Sequence, residues 1–302
     1  MKLNLDHLLV IDAIVTHGSF AAAAQALHRV PSALTYSVQK LEQDLAVQLF
    51  DRSGHRAALT AAGQALLQEG RYLLDAAREL ESRVQRIAAG VEVELRIAVS
   101  DLIDWPMLYA GLAEFYAQNF GTRLRVSTEV YGGCWDALVN GRADLVLGAP
   151  NEGPAGGGYA AYPLGTVEFV FAVAPNHPLA GYPEPLQNID IVKFRAVSAA
   201  DSSRQLPART SGLINGQDVL SLPSMTAKLL AQEQGLGVGY LPKSLAMAAQ
   251  AKGSLVIKVV AEPKPVTQFF MAWNTSHHGL ALASLVDYWK THTILEGAAV
   301  VS

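Results

Sequence analysis

Residues 61–89 contain no proline and carry apolar or small residues at intervals of seven, which predicts one long amphipathic helix capped by Thr60. One sevenfold register consists of Leu66, Leu73, Leu80 and Ile87, and a second, four residues on, of Gly63, Gly70, Ala77 and Val84. A helix that joins two domains has few faces that its own chain can cover. We therefore expect this stripe to pair with a second copy of the chain. The alternative is that the stripe packs on its own domain.

The predicted helix separates two parts of the chain that differ in charge and in periodicity. Residues 1–90 carry nine Lys or Arg and nine Asp or Glu. Residues 91–302 carry fourteen Lys or Arg and eighteen Asp or Glu, so they are net negative. With 302 residues, of which 50% are hydrophobic and 17% charged, the chain resembles an ordinary soluble protein of two or more domains. The net charge of −4 gives no general support for a nucleic-acid partner.

The first part is predicted to contain three short helices and a hairpin. Apolar residues recur at helical spacing from Leu5 to Ile14, and Ser19 is a good N-cap for a second helix over Phe20–Leu27. Pro31 suits the first turn of a third helix that ends near Leu45. Two short apolar pieces then flank a basic turn around Gly54. This order is typical of a winged helix-turn-helix, whose third helix fits the major groove of DNA.

A set of polar side chains in this part is predicted to contact DNA. Hydroxyl and amide groups on the helices can donate to phosphate or read base edges, and basic residues on the wing can reach the backbone or the minor groove. The candidates are Ser19, Ser32, Thr35, Tyr36, Gln39, Arg52, His55 and Arg56. The alternative is a helical subdomain without a ligand, because a net charge of zero is weak evidence for a polyanionic partner.

From residue 91 onwards, strand-like and helix-like segments alternate, which predicts an α/β architecture with an open sheet. Stretches rich in glycine and proline near 150–158 and 263–265 suggest two crossings between lobes. We expect three regions: a DNA-binding domain over 1–60, a linker and dimerisation helix over 61–90, and an effector domain over 91–302. Within the last, lobe I is predicted over about 91–160 and 266–302, and lobe II over about 161–265.

Ligands of open α/β sheets bind beyond the carboxyl ends of the strands. The residues there are Ser100, Asp101, Leu102, Ile103, Tyr131, Gly133, Ser198, Asp201, Ser224 and Met225. Serine hydroxyls and free backbone N–H groups suit a carboxylate, and the apolar side chains suit an apolar or aromatic body. Asp101 and Asp201 argue instead for a cationic or hydroxylated ligand. The alternative for each serine is a structural role, in which its hydroxyl caps the helix that follows.

The first part of the chain resembles the DNA-binding domain of LysR-type transcriptional regulators. The matching residues are Gly18-Ser19-Phe20, Ala23-Ala24, Leu27, Ser32-Ala33-Leu34, Leu41-Glu42, Leu45, Leu49-Phe50, Arg52, Leu59-Thr60 and Gly63. The resemblance is specific over residues 5–70 and architectural beyond them. Where the family usually opens its recognition helix with Ser-Gln, this chain has Val30 and Pro31, and Thr35 and Ala46 replace a usual serine and glycine. These departures affect which DNA bases the recognition helix would contact, not whether it would bind DNA.

The resemblance implies a fold with an N-terminal winged helix, a long linker helix and a two-lobed effector domain like periplasmic binding proteins. It implies a regulator whose promoter binding or activity is controlled by a small effector, which we expect to be an organic or aromatic acid. The expected partners are double-stranded promoter DNA, the effector and a second copy of the chain paired through the linker helix. Assembly into tetramers and contact with RNA polymerase are further expectations.

Other functional classes find little support in the sequence. The chain has no GxSxG, P-loop or HExxH motif, although an enzyme built on a two-lobed α/β domain with an N-terminal helical subdomain stays the alternative. An exported solute-binding protein is a third possibility, but Asp6 and Asp12 interrupt the only signal-like segment. Cys134 is the single cysteine, and His177 and the pair His277-His278 lack partners at metal-ligand spacing. We therefore expect a cytoplasmic protein without metal, cofactor or membrane segment.

Overall fold

A computed structural model describes residues 2–51, 58–276, 279–292 and 294–295. It divides into two compact units, Met1–Ala88 and Ala89–Ser302. Among the described residues no single helix is long and apolar enough to cross a membrane. One pair of consecutive N-terminal helices reaches that length and hydrophobicity together, but the pair is bent by 116°.

Among its described residues the first unit has four helices and two paired antiparallel strands: α1 Leu5–His17, α2 Phe20–Ala26, α3 Pro31–Leu45, β1 Phe50–Asp51, β2 Ala58–Leu59 and α4 Ala61–Ala88. The side chain of Asn4 caps α1, and Gly18 ends it with a left-handed backbone (φ 75°). The Ser19 hydroxyl then accepts a hydrogen bond from the Ala22 N–H and starts α2. These caps make the sharp turn between α1 and α2.

The early part of α4 packs on its own unit. Gly63 and Gly70 are buried, and an added Cβ would overlap the Leu49 carbonyl oxygen at the first position and lie 2.7 Å from Leu8 Cδ2 at the second. The expectation that these two small residues pair with a second chain is therefore wrong: they let α4 approach α1 and the hairpin. Farther along the helix, Leu73 (52% exposed) and Leu80 (57%) remain uncovered within this unit.

The second unit contains two lobes. Its elements are β3 Glu94–Ser100, α5 Trp105–Ala117, β4 Arg123–Glu129, α6 Gly133–Val139, β5 Leu145–Pro150, β6 Tyr159–Val167, β7 Phe169–Val173, a 3₁₀ turn Pro178–Gly181, α7 Asn188–Ile191, β8 Ala196–Ala199, β9 Val219–Leu222, α8 Met225–Glu233, β10 Gly239–Pro242, α9 Lys243–Ala251, β11 Val256–Lys258, β12 Thr267–Asn274 and α10 Leu280–Thr291. The first lobe has a five-stranded sheet in the order β4-β3-β5-β12-β6. The second lobe has an antiparallel sheet β10-β7-β11 and the parallel pair β8-β9, joined to the β10 side by a bridge between Ala196 and Val238.

The structure moves one predicted lobe boundary and adds two elements. Strand β6, which was not predicted, pairs with β12 in the first sheet, so the first crossing lies between Val167 and Phe169 rather than at residue 160. Pro163 and Gly165 weaken the strand pattern, but β6 is an edge strand, where proline is tolerated. The structure also contains the short helix α9, and α10 ends at Thr291.

The two lobes share one apolar core. Val99, Ile103 and Leu108 of the first lobe belong to the same buried cluster as Met225 and Leu241 of the second. The carboxyl end of β3 lies against the N-terminus of α8, and the carboxyl end of β4 lies against the loop that follows β8. The predicted effector residues therefore lie at a junction between lobes that is closed in this structure.

Candidate functional site

Helix α3 presents one polar face and one apolar face. Ser32, Thr35, Tyr36 and Gln39 are exposed, with Tyr36 66% accessible, whereas Leu34, Val38 and Leu41 on the opposite side are buried. Helical spacing accounts for this division, because positions i, i+3, i+4 and i+7 share one side of a helix. The Thr35 hydroxyl donates to the Pro31 carbonyl oxygen at 3.0 Å, which orients it within the helix.

A buried carboxylate holds α3 against the hairpin. Glu42, near the end of α3, accepts hydrogen bonds from the backbone N–H groups of Leu49 (2.8 Å) and Phe50 (3.2 Å). Across the hairpin, Phe50 of β1 pairs with Leu59 of β2. The hydroxyl of Thr60, which follows β2, donates to the Gln48 carbonyl oxygen at 2.7 Å. The base of the hairpin thus has a set position relative to α3.

The predicted wing residues Arg52, His55 and Arg56 lie outside the described residues. Ser19 caps α2, as described above, so its hydroxyl already has a structural use. Sequence reasoning missed Lys40, which is exposed beside Gln39 on α3, and helical spacing alone would have found it. Arg29 is no substitute cation, because both of its terminal nitrogens donate to the Asp6 carboxylate, at 2.9 and 2.7 Å.

In the second unit, two aspartates of the predicted effector site join the lobes. The Asp101 carboxylate accepts a hydrogen bond of 2.7 Å from the backbone N–H of Met225, the first residue of α8. The Asp201 carboxylate accepts from the N–H groups of Gly132 (3.2 Å) and Arg209 (2.6 Å). Both carboxylates therefore occupy N–H groups that were expected to be free for an effector anion.

The loop after β8 reinforces this closure. The Ser202 hydroxyl donates to the Glu129 carboxylate and accepts from the Val130 N–H at 2.8 Å. Asp136 accepts from the N–H groups of Gln205 (2.8 Å) and Leu206 (2.7 Å). We refer to residues 201–209 as the clasp, because this loop of the second lobe is hydrogen-bonded to the first.

One arginine organises the acidic groups beneath the clasp. Arg142 contacts both Glu129 and Asp136, the latter at 2.9 Å. Burial opposes ionisation of Asp136, but the hydrogen bonds from Leu206, Gln205 and Arg142 outweigh it and lower its pKa to about 2. Asp136 thus stays ionised.

Several predicted effector residues do not present surface to a ligand in this arrangement. Ile103 and Met225 (1% exposed) are part of the shared core, and Gly133 is buried under Ser202. The Ser224 hydroxyl caps α8 by accepting from the Ala227 N–H, and the Ser100 hydroxyl accepts from the Leu102 N–H at 3.3 Å. The prediction that free serine hydroxyls and backbone N–H groups bind the effector carboxylate is therefore wrong for this closed arrangement. The structural reason is that Asp101 and Asp201 already satisfy the donors. Leu102, Tyr131 and Ser198 remain partly exposed.

Two lysines that the sequence did not single out lie near this junction. Lys228, on α8, is 3% exposed, and burial lowers its pKa to about 7, with the nearby Lys264 adding to the effect. Burial also lowers the pKa of Lys264 to about 8. The Lys264 ammonium lies 3.7 Å from the ring centroid of Phe169 and 6.0 Å from that of Tyr131. Buried amines of this kind are common in binding sites.

Burial also shifts the pKa values of Asp101, Tyr131 and Cys134. Desolvation raises the pKa of Asp101 to about 6 and that of Tyr131 to about 12. Cys134 is fully buried, and burial raises its pKa well above the usual value, so it is a neutral thiol rather than a reactive thiolate. Within the part of the chain that the structure describes, no three His, Cys, Asp or Glu residues are grouped to hold a metal ion.

Comparison with known proteins agrees with both units. Residues 5–64 match the family model of the bacterial regulatory helix-turn-helix proteins of the lysR family, and residues 88–293 match the LysR substrate binding domain. An uncharacterized HTH-type transcriptional regulator of Escherichia coli K12, YeeY, is 40% identical over 99% of this chain and 96% of its own length. The probable HTH-type regulator YhaJ of the same strain is 39% identical over 92% of this chain and 93% of its own.

A solved structure shows the same fold. The crystal structure of a probable transcriptional regulator from Pseudomonas aeruginosa superposes with a TM-score of 0.64 at 21% identity, covering 96% of this chain and 98% of that one. The first family match runs from α1 to the start of α4, and the second covers the two-lobed unit. This chain belongs to the LysR family of transcriptional regulators, with an N-terminal DNA-binding helix-turn-helix and an effector-binding domain.

Proposed function

We propose that this regulator reads promoter DNA with the exposed face of α3 and contacts the phosphate backbone with Lys40 and the wing. The observation that carries the proposal is the division of α3, whose apolar side is buried while Ser32, Thr35, Tyr36 and Gln39 are exposed. These side chains replace the base-reading group that proline at position 31 lacks. Tyr36 and Gln39 are the residues to which we assign base recognition.

The uncovered stripe on α4 supports self-association. Leu73, Leu80, Val84 and Ile87 are all more than half exposed within their unit. An apolar stripe of this length is covered when two copies pair their helices. We propose a homodimer through α4 that assembles into a tetramer. Several helix-turn-helix domains on one long site would supply the affinity that a domain of zero net charge lacks.

The effector domain is proposed to bind a small organic acid. Lys228 and Lys264 are two positive groups near the junction of the lobes that have no carboxylate partner among the described residues, and an anion would compensate for their desolvation. The effector controls DNA binding only if it binds two arrangements of the protein with different affinity. The junction held by Asp101 and the clasp supplies one such arrangement. RNA polymerase is the proposed downstream partner, and the protein acts in the cytoplasm, where the DNA is. The proposal includes no catalytic step.

The test is selection of bound sequences from random double-stranded DNA by the full-length protein, followed by gel shift on the selected site. A single enriched motif with two related half-sites is expected, since a dimer presents two copies of α3. Absence of any enriched motif would overturn the proposal. Gln39→Ala should alter the motif, whereas Gln118→Ala, at the end of α5 in the other unit, should leave it unchanged.

A further inference from the structure

The second lobe contains a cavity of about 230 Å³ under the segment 211–217. Its walls include Phe171, Ile191, Ile214 and Tyr240, together with the polar residues Glu262 and Lys264. The ring of Tyr240 meets that of Phe171 edge-on at 5.4 Å, and its hydroxyl donates to the Glu262 carbonyl oxygen at 2.8 Å. A volume below the ~300–1,000 Å³ typical of drug-sized ligands indicates a small molecule with one ring.

One wall of the cavity is backed by polar groups without partners. Gly239 lines the cavity, and a Cβ added to it would lie 3.2 Å from Gln232 Nε2 and 3.5 Å from Lys228 Nζ. Gln232 is completely buried, and neither its amide nitrogen nor its amide oxygen has a hydrogen-bond partner. Glycine at this position lets two side chains of α8 reach the strand that forms the wall.

Two ammonium groups lie at or behind the cavity wall: Lys264 belongs to the lining, and Lys228 lies behind Gly239. Among the described residues, no carboxylate lies within 4.0 Å of the ammonium groups of Lys228 or Lys264. Asp101 is close enough to Lys228 to favour the charged form of that lysine, but its carboxylate is hydrogen-bonded to the Met225 N–H. Glu262 is exposed to solvent. A desolvated cation without a counter-ion costs free energy, which a bound anion recovers.

We propose that this cavity binds a one-ring monocarboxylate, with the ring between Tyr240, Phe171 and Ile214 and the carboxylate against Lys264, supported by the field of Lys228. Lys264 lines the cavity and also lies against Phe169, at the start of the strand that leads out of the first lobe. A ligand here thus touches the part of the second lobe next to the crossing. The inference rests on the proposed function only in identifying this ligand as the effector.

The test uses the full-length protein and isothermal titration calorimetry with matched probes. Benzoate, phenylacetate and cyclohexanecarboxylate supply the carboxylate, benzamide is the neutral counterpart of benzoate, and benzylamine is the cationic counterpart. At least one carboxylate should bind about tenfold or more tightly than benzamide, and benzylamine should bind least, since charge-assisted hydrogen bonds are the stronger class. No binding by any of the three acids at millimolar concentration, or equal binding of benzamide, would overturn the proposal.

Variants locate the site. Lys264→Met and Lys228→Met should each weaken carboxylate binding by about tenfold or more, and Lys264→Arg should retain part of it. The matched control is Lys252→Met, an exposed lysine after α9, which should bind like wild type. Both Met variants should melt at or above the wild-type temperature, because each removes a desolvated cation that has no carboxylate partner among the described residues. Such a result shows that lost binding is not lost folding. Binding that survives Lys264→Met but is lost in Ser100→Ala with Ser224→Ala would place the ligand at the lobe junction instead and contradict the proposal.

Two further readouts separate the possible failures. If the carboxylate lies against Lys264 in the field of Lys228, binding at pH 8 takes up protons, because an anion raises the lowered pKa values of both lysines. The binding heat should then depend on the ionisation heat of the buffer. A heat that is the same in all buffers at pH 8 contradicts the contact. Carboxylate binding without any specific DNA shift would overturn the proposed function and leave the site intact. A specific gel shift of DNA without carboxylate binding would overturn the proposed site and leave the proposed function intact.

Discussion

The carboxylate of Asp101, at the end of a first-lobe strand, accepts a hydrogen bond of 2.7 Å from the backbone N–H of Met225, at the start of a second-lobe helix. A helix N-terminus attracts anions, and here the protein supplies the anion itself. An effector that binds at this junction has to displace Asp101, whereas one that binds in the second-lobe cavity does not.

This contact gives a first prediction, on pH-dependent stability. Burial raises the pKa of Asp101 from 3.8 to about 6, so the ionised form costs folding free energy above about pH 6 and the cost disappears as the pH falls toward 4. Asp101→Asn keeps an acceptor oxygen without the charge. We expect it to be more stable than wild type at pH 7, by up to about 3 kcal/mol, and nearly equal near pH 4.

Thermal unfolding of both proteins from pH 4 to 8 measures this difference. Glu152→Gln is the control, since Glu152 is exposed and should show no such trend. A stability difference that does not change with pH would contradict the assignment of the cost to Asp101.

The second prediction concerns the clasp. Asp136→Ala leaves Arg142 without one of its two carboxylate partners and the N–H groups of Gln205 and Leu206 without acceptors. Removing one partner of a buried charge pair costs about 3–5 kcal/mol, so the unfolding midpoint in urea should fall markedly. Asp287→Ala removes an exposed carboxylate that pairs with Lys290 and should change stability little. Equal effects of the two substitutions would argue against a structural role of the clasp.

The third prediction concerns assembly through α4. Replacing Leu73 and Leu80 together with glutamate should break the pairing of two copies, because each charge would be buried against its symmetry mate. Light scattering should then report a smaller particle than wild type. Ser82→Glu places a charge on the opposite side of α4 and should leave the particle size unchanged. A double variant of wild-type size would show that these leucines do not mediate the pairing.

The fourth prediction separates base reading from phosphate contact on α3. Tyr36→Ala or Gln39→Ala should change preference at one or two base pairs, by about 1–3 kcal/mol at each. Lys40→Ala should instead weaken specific and random DNA about equally and reduce the dependence of affinity on salt concentration. Binding to a library of single-base variants of the selected site distinguishes the two patterns. A Tyr36→Ala protein with an unaltered base profile would remove Tyr36 from base recognition.

The sequence by itself was enough to predict the helix-turn-helix, the long helix and the two-lobed α/β domain. Ser19, Pro31 and Thr60 act locally, since each starts a helix whose limits depend on residues a few positions away. The spacing of Leu34, Val38 and Leu41 determined which face of α3 is buried, and hence that Tyr36 and Gln39 are exposed. Such features follow from helical periodicity, which does not depend on the rest of the fold.

Only the tertiary structure decided what surrounds the effector site. Asp101 and Met225 are 124 positions apart, and nothing local to either residue shows that one satisfies the other. The same holds for Gly63 and Gly70, whose sevenfold spacing fits a second chain as well as it fits the Leu49 backbone and Leu8. Lys228 and Lys264 look like ordinary surface lysines in the sequence. Their burial, and with it the lowering of their pKa values, arises because helix, strand and loop from separate parts of the chain close around them and exclude water.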